Sequence, residues 1–106
     1  MSAVLVVDDD PALVRTLGIN LRARGYEVHA AATGAGALRL AAAHPPDAVI
    51  LDLGLPDMDG SEVIAGLRGW TDVPIIVLSA REQSREKVAA LDDGADDYVV
   101  KPLRDG

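Results

Sequence analysis

The stretch "VILDLGLPDMDG", Val49 to Gly60, decides the fold. Three aliphatic residues run straight into Asp52, and a glycine, a proline and two further acids follow. A short apolar run bounded by turn residues reads as a strand buried on both faces, as in a parallel sheet. Ending such a strand on a carboxylate is costly unless the charge is used there.

The same pattern recurs on either side. Ala3 to Val7 is a strand-like run that ends in Asp8-Asp9. Val73 to Ser79 reads as a strand ending on a hydroxyl, and Tyr98 to Val100 as one followed at once by Lys101-Pro102. Glu27 to Ala31 is a further short strand, and 47–52 is the one that carries Asp52. Helical spacing fills the gaps. Asp10 suits an N-cap and Pro11 a first helical residue; Leu13, Leu17 and Leu21 follow at helical spacing, and Gly25 suits the stop. Thr33 can cap a helix running to about His44, with Ala37, Leu38 and Ala41 as its apolar stripe and Pro45-Pro46 as its end. Ser61 to Gly69 and Gln83 to Asp93 read as the third and fourth helices, the latter closed by Gly94. Strands alternating with helices imply right-handed crossovers and a doubly wound α/β fold with a five-stranded parallel sheet. The chain stops four residues after Pro102, without a fifth helix, so a C-terminally truncated piece of a longer protein is expected. Trp70 is expected to cap the core near the third helix's end. His29 and His44 are expected at the surface, without a partner at ligand spacing.

Composition sets the bounds. The 106 residues suffice for one domain, and 49% are hydrophobic. With no Phe, one Trp and two Tyr, the core must be built of Val, Leu, Ile and Ala. A net charge of −7 argues against a basic nucleic-acid grip by this segment, though not by a domain outside it. The absence of Cys excludes disulfides and thiolate metal sites. No apolar run approaches the ~20 residues of a membrane span. Met1-Ser2-Ala3 leads directly into a strand, without a signal peptide. The expected setting is cytoplasmic.

In an open parallel sheet, ligands sit at the carboxyl ends of the strands where the winding reverses. Strand ends here deliver Asp8, Asp9, Asp52, Ser79 and Lys101 to one edge. Clustered carboxylates repel one another, and a hard divalent cation relieves the cost. Mg2+ suits such oxygen ligands and commonly bridges to phosphate. Lys101 can hold a phosphoryl oxygen and Ser79 can donate to one. A carboxylate in that company is a candidate phosphoryl acceptor. Read singly, Asp10, Asp57 and Asp59 are better taken as capping, turn and helix-start residues, and Arg81 as a solvated side chain.

The strings "VLVVDDD" (4–10), "ILDLGLPDMDG" (50–60), "PIIVLSA" (74–80) and "GADDYVVKP" (94–102), in this order, resemble the receiver domain of bacterial two-component response regulators over essentially the whole chain. "LDLGLPD" and "ALDDGADDY" are similar to the winged-helix DNA-binding subfamily, and within it to the potassium-transport (Kdp) operon regulators. The resemblance implies strand order 2-1-3-4-5 and a receiver domain over 1–106. It implies that Asp52 accepts a phosphoryl group from a sensor histidine kinase. Asp9 and Asp52 would bind Mg2+ directly, with the Gly54 carbonyl as a third protein ligand and Asp8 acting through a water. Lys101 and Ser79 would contact the phosphoryl group. Ser79 and Tyr98 would form the switch. Ser79 stands where Thr is common. Lys87, Asp96 and Asp97 look like half of a homodimer face whose other half belongs to the missing fifth helix. DNA would be met only by a domain outside this chain, and no membrane is implied.

Such a domain is a signalling switch that catalyses only its own phosphoryl transfer and hydrolysis. A turnover phosphatase with an aspartyl nucleophile is the rival reading. It usually needs a second acid two residues on, where this chain has Gly54, which cannot transfer protons. A vestigial interaction module is the third reading, and the intact set of five site residues argues against it.

Overall fold

A computed structural model describes residues 2–79 and 89–100. Along the chain run β1 (Ala3–Val7), α1 (Pro11–Ala23), β2 (Glu27–Ala31), α2 (Gly34–Ala43), β3 (Ala48–Asp52), α3 (Gly60–Arg68), β4 (Ile75–Ser79), a fourth helical segment α4 at 89–92, and β5 (Asp97–Val100). The strands form one parallel sheet ordered β2-β1-β3-β4-β5. The doubly wound α/β class and the order 2-1-3-4-5 are thus as expected.

Register divides the side chains between two faces. Val7, Leu51, Val77 and Tyr98 are cross-strand neighbours in one row, and Val6, Ile50 and Ile76 in the adjacent one. Successive residues of a strand point to opposite faces, so these rows lie on opposite sides of the sheet. The main core is on the side of the first row. There Leu5, Val7, Val49, Leu51, Ile75 and Val77 meet Ala37 and Ala41 of α2 and Val63, Ile64 and Leu67 of α3. The connections through α2 and α3 run toward β5, whereas that through α1 runs the other way, to β2. Right-handed crossovers therefore place α1 on the opposite side from α2 and α3. Leu13, Leu17 and Leu21 of α1 are only half-buried, and Gly18 is the one buried residue of that helix.

The helix ends follow their residues. Asp10 caps α1, its carboxylate accepting from the amides of Ala12 at 3.0 Å and Leu13 at 3.4 Å. Gly25, at φ +90°, takes the left-handed turn that ends α1, where a side chain would be strained. Thr33 caps α2 by accepting from the Gly36 amide at 3.0 Å. The third helix starts at Gly60, one residue before the expected Ser61. Gly60 is packed so closely that an added Cβ would lie 3.0 Å from the Leu53 Cα.

Trp70 differs from the sequence reading, and two contacts, made by His29 with the exposed His44 and by Arg68, add to it. Trp70 is 49% exposed rather than a core cap, because α3 fills its interface with Val63, Ile64 and Leu67 and the chain turns away at Gly69. His29 and His44 are partners, their rings stacked with centroids 5.1 Å apart. Arg68, which carried no reading, is a hub at the end of α3. Its guanidinium donates to the carbonyls of Gly94 (3.0 Å), Thr71 (3.2 Å) and Val73 (2.7 Å) and to the Asp96 carboxylate (2.8 Å).

Candidate functional site

The site forms where the sheet's winding reverses. Strands β1 and β3 lie side by side, but β1 feeds α1 toward one edge and β3 feeds α3 toward the other. Their two following loops separate and leave a crevice at the carboxyl edge. Asp8 and Asp9 follow β1 directly, and Asp52 is the last residue of β3. One carboxylate oxygen from each of Asp8, Asp9 and Asp52 lies within 4.8 Å of the others. Asp8 is 2% and Asp52 6% exposed, whereas Asp9 is open to solvent.

Local hydrogen bonds orient the buried pair. Asp8 Oδ1 accepts from the Asp10 amide at 2.9 Å, which ties the site to the start of α1. Asp52 Oδ1 accepts from the Gly54 amide at 3.2 Å. A Cβ at Gly54 would stand 3.8 Å from Asp52 Oδ2, in ordinary van der Waals contact, so the loop runs close beside that carboxylate. A hollow lined by Asp8, Asp9, Pro11, Val14 and Ala30 to Ala32 opens beside the acids, and its small β2-side residues leave room for an incoming group. Three carboxylates at this separation form an all-oxygen donor set suited to a hard divalent cation, and the exposed side of the cluster leaves space for the waters Mg2+ retains.

Three comparisons of the chain with known proteins bear on this arrangement. The family model described as the response regulator receiver domain matches residues 4–106. The chain belongs to the response regulator receiver domain family. Among curated relatives, the transcriptional regulatory protein KdpE of Mycobacterium tuberculosis is 67% identical over 103 residues, and the KDP operon transcriptional regulatory protein KdpE of Escherichia coli is 52% identical over 103 residues. Each match takes in 97% of this chain but 46% of the relative, so this receiver spans just under half their length. The solved structure of response regulator protein TrrA from Thermotoga maritima, in complex with Mg2+–BeF, superposes with a TM-score of 0.87 at 36% identity, covering 98% of this chain and 90% of that one. The family, and the similarity to Kdp operon regulators, are as the sequence motifs indicated.

The other expected receiver site residues fall as follows. Ser79 ends β4 and pairs in register with Val100 of β5. Lys101 and Lys87 lie outside the described residues, as does Arg81, which was expected only as a solvated side chain. Tyr98 is half-buried and packs against the core cluster. Asp97 is exposed at the start of β5, while Asp96 accepts from Arg68 and, at 2.8 Å, from the Ile75 amide. Among the described residues, no helix is long and apolar enough to cross a membrane.

One contributor to the loop carrying Gly54 escaped the sequence reading. Asp57 was read as a turn residue, yet its carboxylate accepts from the Gly34 amide at 2.8 Å and the Ala35 amide at 3.0 Å, at the start of α2. Those amide bonds, Ala35 and then Gly34, hold its carboxyl below the ordinary carboxylate value. Nothing in the spacing of 34 and 57 announces this contact. The available signal was that the first turn of α2, Gly34-Ala35-Gly36, has amides that Thr33 alone cannot satisfy.

Proposed function

We propose that this receiver is a Mg2+-dependent phospho-acceptor switch of a two-component phosphorelay, with Asp52 as the acceptor. The single observation that carries the reading is the convergence of Asp8, Asp9 and Asp52 oxygens within 4.8 Å at the winding reversal. Asp9, Asp52 and the Gly54 carbonyl would hold the ion directly, and Asp8 through a water. When bound, Mg2+ supplies positive charge against the transferring phosphoryl oxygens, where most of the catalysis of such transfers resides. The carboxylate of Asp52 attacks phosphorus. A new O–P bond forms as the P–N bond of the kinase's phosphohistidine breaks, and the histidine nitrogen leaves with the electron pair. The Gly54 amide, donating to Asp52 Oδ1, keeps the acceptor oriented. Lys101 would pair with a phosphoryl oxygen and Ser79 would donate to another.

The same proposal extends to output. Phosphorylation would favour a conformation in which Ser79 is drawn to the phosphoryl group and Tyr98 moves further inward, a shift toward a pre-existing state. Lys87, Asp96 and Asp97 would contribute to a homodimer face of the active protein. A DNA-binding winged-helix output, outside residues 1–106, would then regulate transcription in the cytoplasm. Support comes from the KdpE relatives, which are named as transcriptional regulators and are about twice this chain's length.

Incubation with Mg2+ and acetyl phosphate, followed by intact mass, tests the reading. The expected result is one added phosphoryl group on the wild-type chain and none on Asp52→Asn. A folded wild-type chain that takes no phosphate favours the vestigial module, and sustained hydrolysis of phosphomonoesters favours a turnover enzyme.

A further inference from the structure

The segment 53–59 carries the Gly54 carbonyl from the end of β3 to the start of α3. Its near end is held by the Leu53 amide on the Leu78 carbonyl at 3.3 Å and by the Gly54 amide on Asp52. Its far half is tied to α2 by Asp57, which accepts from the Gly34 and Ala35 amides, and to α3 by the Asp59 carbonyl, which accepts from the Glu62 amide at 3.0 Å and the Val63 amide at 3.4 Å. The clamp is complementary on both sides. Two carboxylate oxygens meet the first two amides of α2, Thr33 takes the third, and the Ala37 amide closes on the Thr33 carbonyl at 3.0 Å. A helix N-terminus favours a negative group, which strengthens such a contact. Apolar packing reinforces the same joint: Met58 and Leu55 pack against the core cluster, and an added Cβ at Gly34 would run into the Met58 side chain. Only Leu55 and Pro56 separate Gly54 from Asp57, and proline fixes its own φ and restricts the residue before it. The arm from the clamp to the Gly54 carbonyl is therefore short and stiff.

We infer that Asp57 is a positioning residue: by clamping the first two amides of α2 it fixes the Gly54 carbonyl at the height where the proposed Mg2+ site uses it. The inference rests on that site reading. It makes the start of α2 a remote part of metal binding, since loss of a supporting contact behind a ligand typically weakens metal affinity by about tenfold or more.

The test is Mg2+ titration by calorimetry on the full chain, with circular dichroism confirming that each variant is folded. Asp57→Ala removes both acceptors and should raise the Mg2+ Kd about tenfold. Asp57→Asn keeps one acceptor and should give an intermediate shift, and it carries the test should Asp57→Ala fail to fold. Thr33→Ala removes a cap from the same helix without touching the loop. It should lower the melting temperature and leave the Mg2+ Kd unchanged. Wild-type binding of Mg2+ with an unchanged Kd in the Asp57 variants overturns the positioning role alone, as does an equal shift in Thr33→Ala. A wild-type chain that binds no Mg2+ overturns the site reading and the positioning role together.

Discussion

Replacing Asp52 by Asn should make the metal-free protein more stable. Its carboxylate has oxygens within 4.8 Å of those of both Asp8 and Asp9. At the upper limit of that separation each like-charge pair costs about 0.9 kcal/mol at the dielectric of water and about 3.5 kcal/mol at an effective value of 20. The pair with exposed Asp9 belongs near the lower figure, and the pair with buried Asp8 nearer the upper. Asn keeps an oxygen for the Gly54 amide but gives up the charge assistance of that bond, a loss of about 1 kcal/mol. The proposed pairing of Lys101 with the acceptor would offset part of the repulsion. A net gain of about 2 kcal/mol remains, or roughly 9 °C in melting temperature for a chain of this size. The assay is thermal unfolding in chelator and in Mg2+ at matched ionic strength. In chelator the variant should melt higher. With Mg2+ at about 100 times Kd the wild type should gain about 2.7 kcal/mol, the variant far less, and the gap should close. A variant that melts at or below wild type in chelator refutes the crowding argument.

Other outcomes follow from individual contacts. Arg68→Ala removes four hydrogen bonds that join the end of α3 to the strand starts, and urea unfolding should show a loss of about 2–4 kcal/mol; a loss under 1 kcal/mol contradicts the hub role. Gly60→Ala pushes a Cβ to 3.0 Å from the Leu53 Cα, whose backbone cannot swing aside, and should cost about 1–3 kcal/mol by the same measurement, whereas a neutral change means the loop yields. The depressed carboxyl of Asp57 means that the folded protein binds fewer protons there than the unfolded chain. Its contribution is complete above the ordinary value of 3.8 and is lost as the pH falls through the lower folded value. Carbon-detected NMR should find its midpoint below 3.8, and a midpoint at or above that contradicts the clamp.

Most of the fold was legible because the strands are buried on both faces and written as unbroken aliphatic runs, such as Val4-Leu5-Val6-Val7. The punctuation was equally direct: Asp10-Pro11 opens α1, and Gly25 and Gly94 adopt the positive φ that stops require. The acid cluster was legible because topology, and not sequence proximity, gathers strand ends. What stayed hidden were contacts between side chains and distant backbone. Asp57 reaches 23 residues back to α2 and Arg68 26 residues forward to Gly94, and no local spacing encodes either. The stacking of His29 on His44 depends on how β2 meets the end of α2, which neither segment states. Trp70 was misjudged because hydrophobicity says that a ring gains from burial, not whether its helix has already ended. The half-burial of α1 reflects how the core is divided between the faces of the sheet, which helical spacing does not report.

The central claim is that Asp52 accepts phosphate in a site completed by Mg2+. Its most direct test is borohydride trapping after incubation with acetyl phosphate, since reduction of an aspartyl phosphate leaves homoserine at the acceptor. Peptide sequencing should find homoserine at position 52, and only in the sample containing Mg2+. Homoserine at another aspartate, or equal labelling of Asp52 in chelator, contradicts the account.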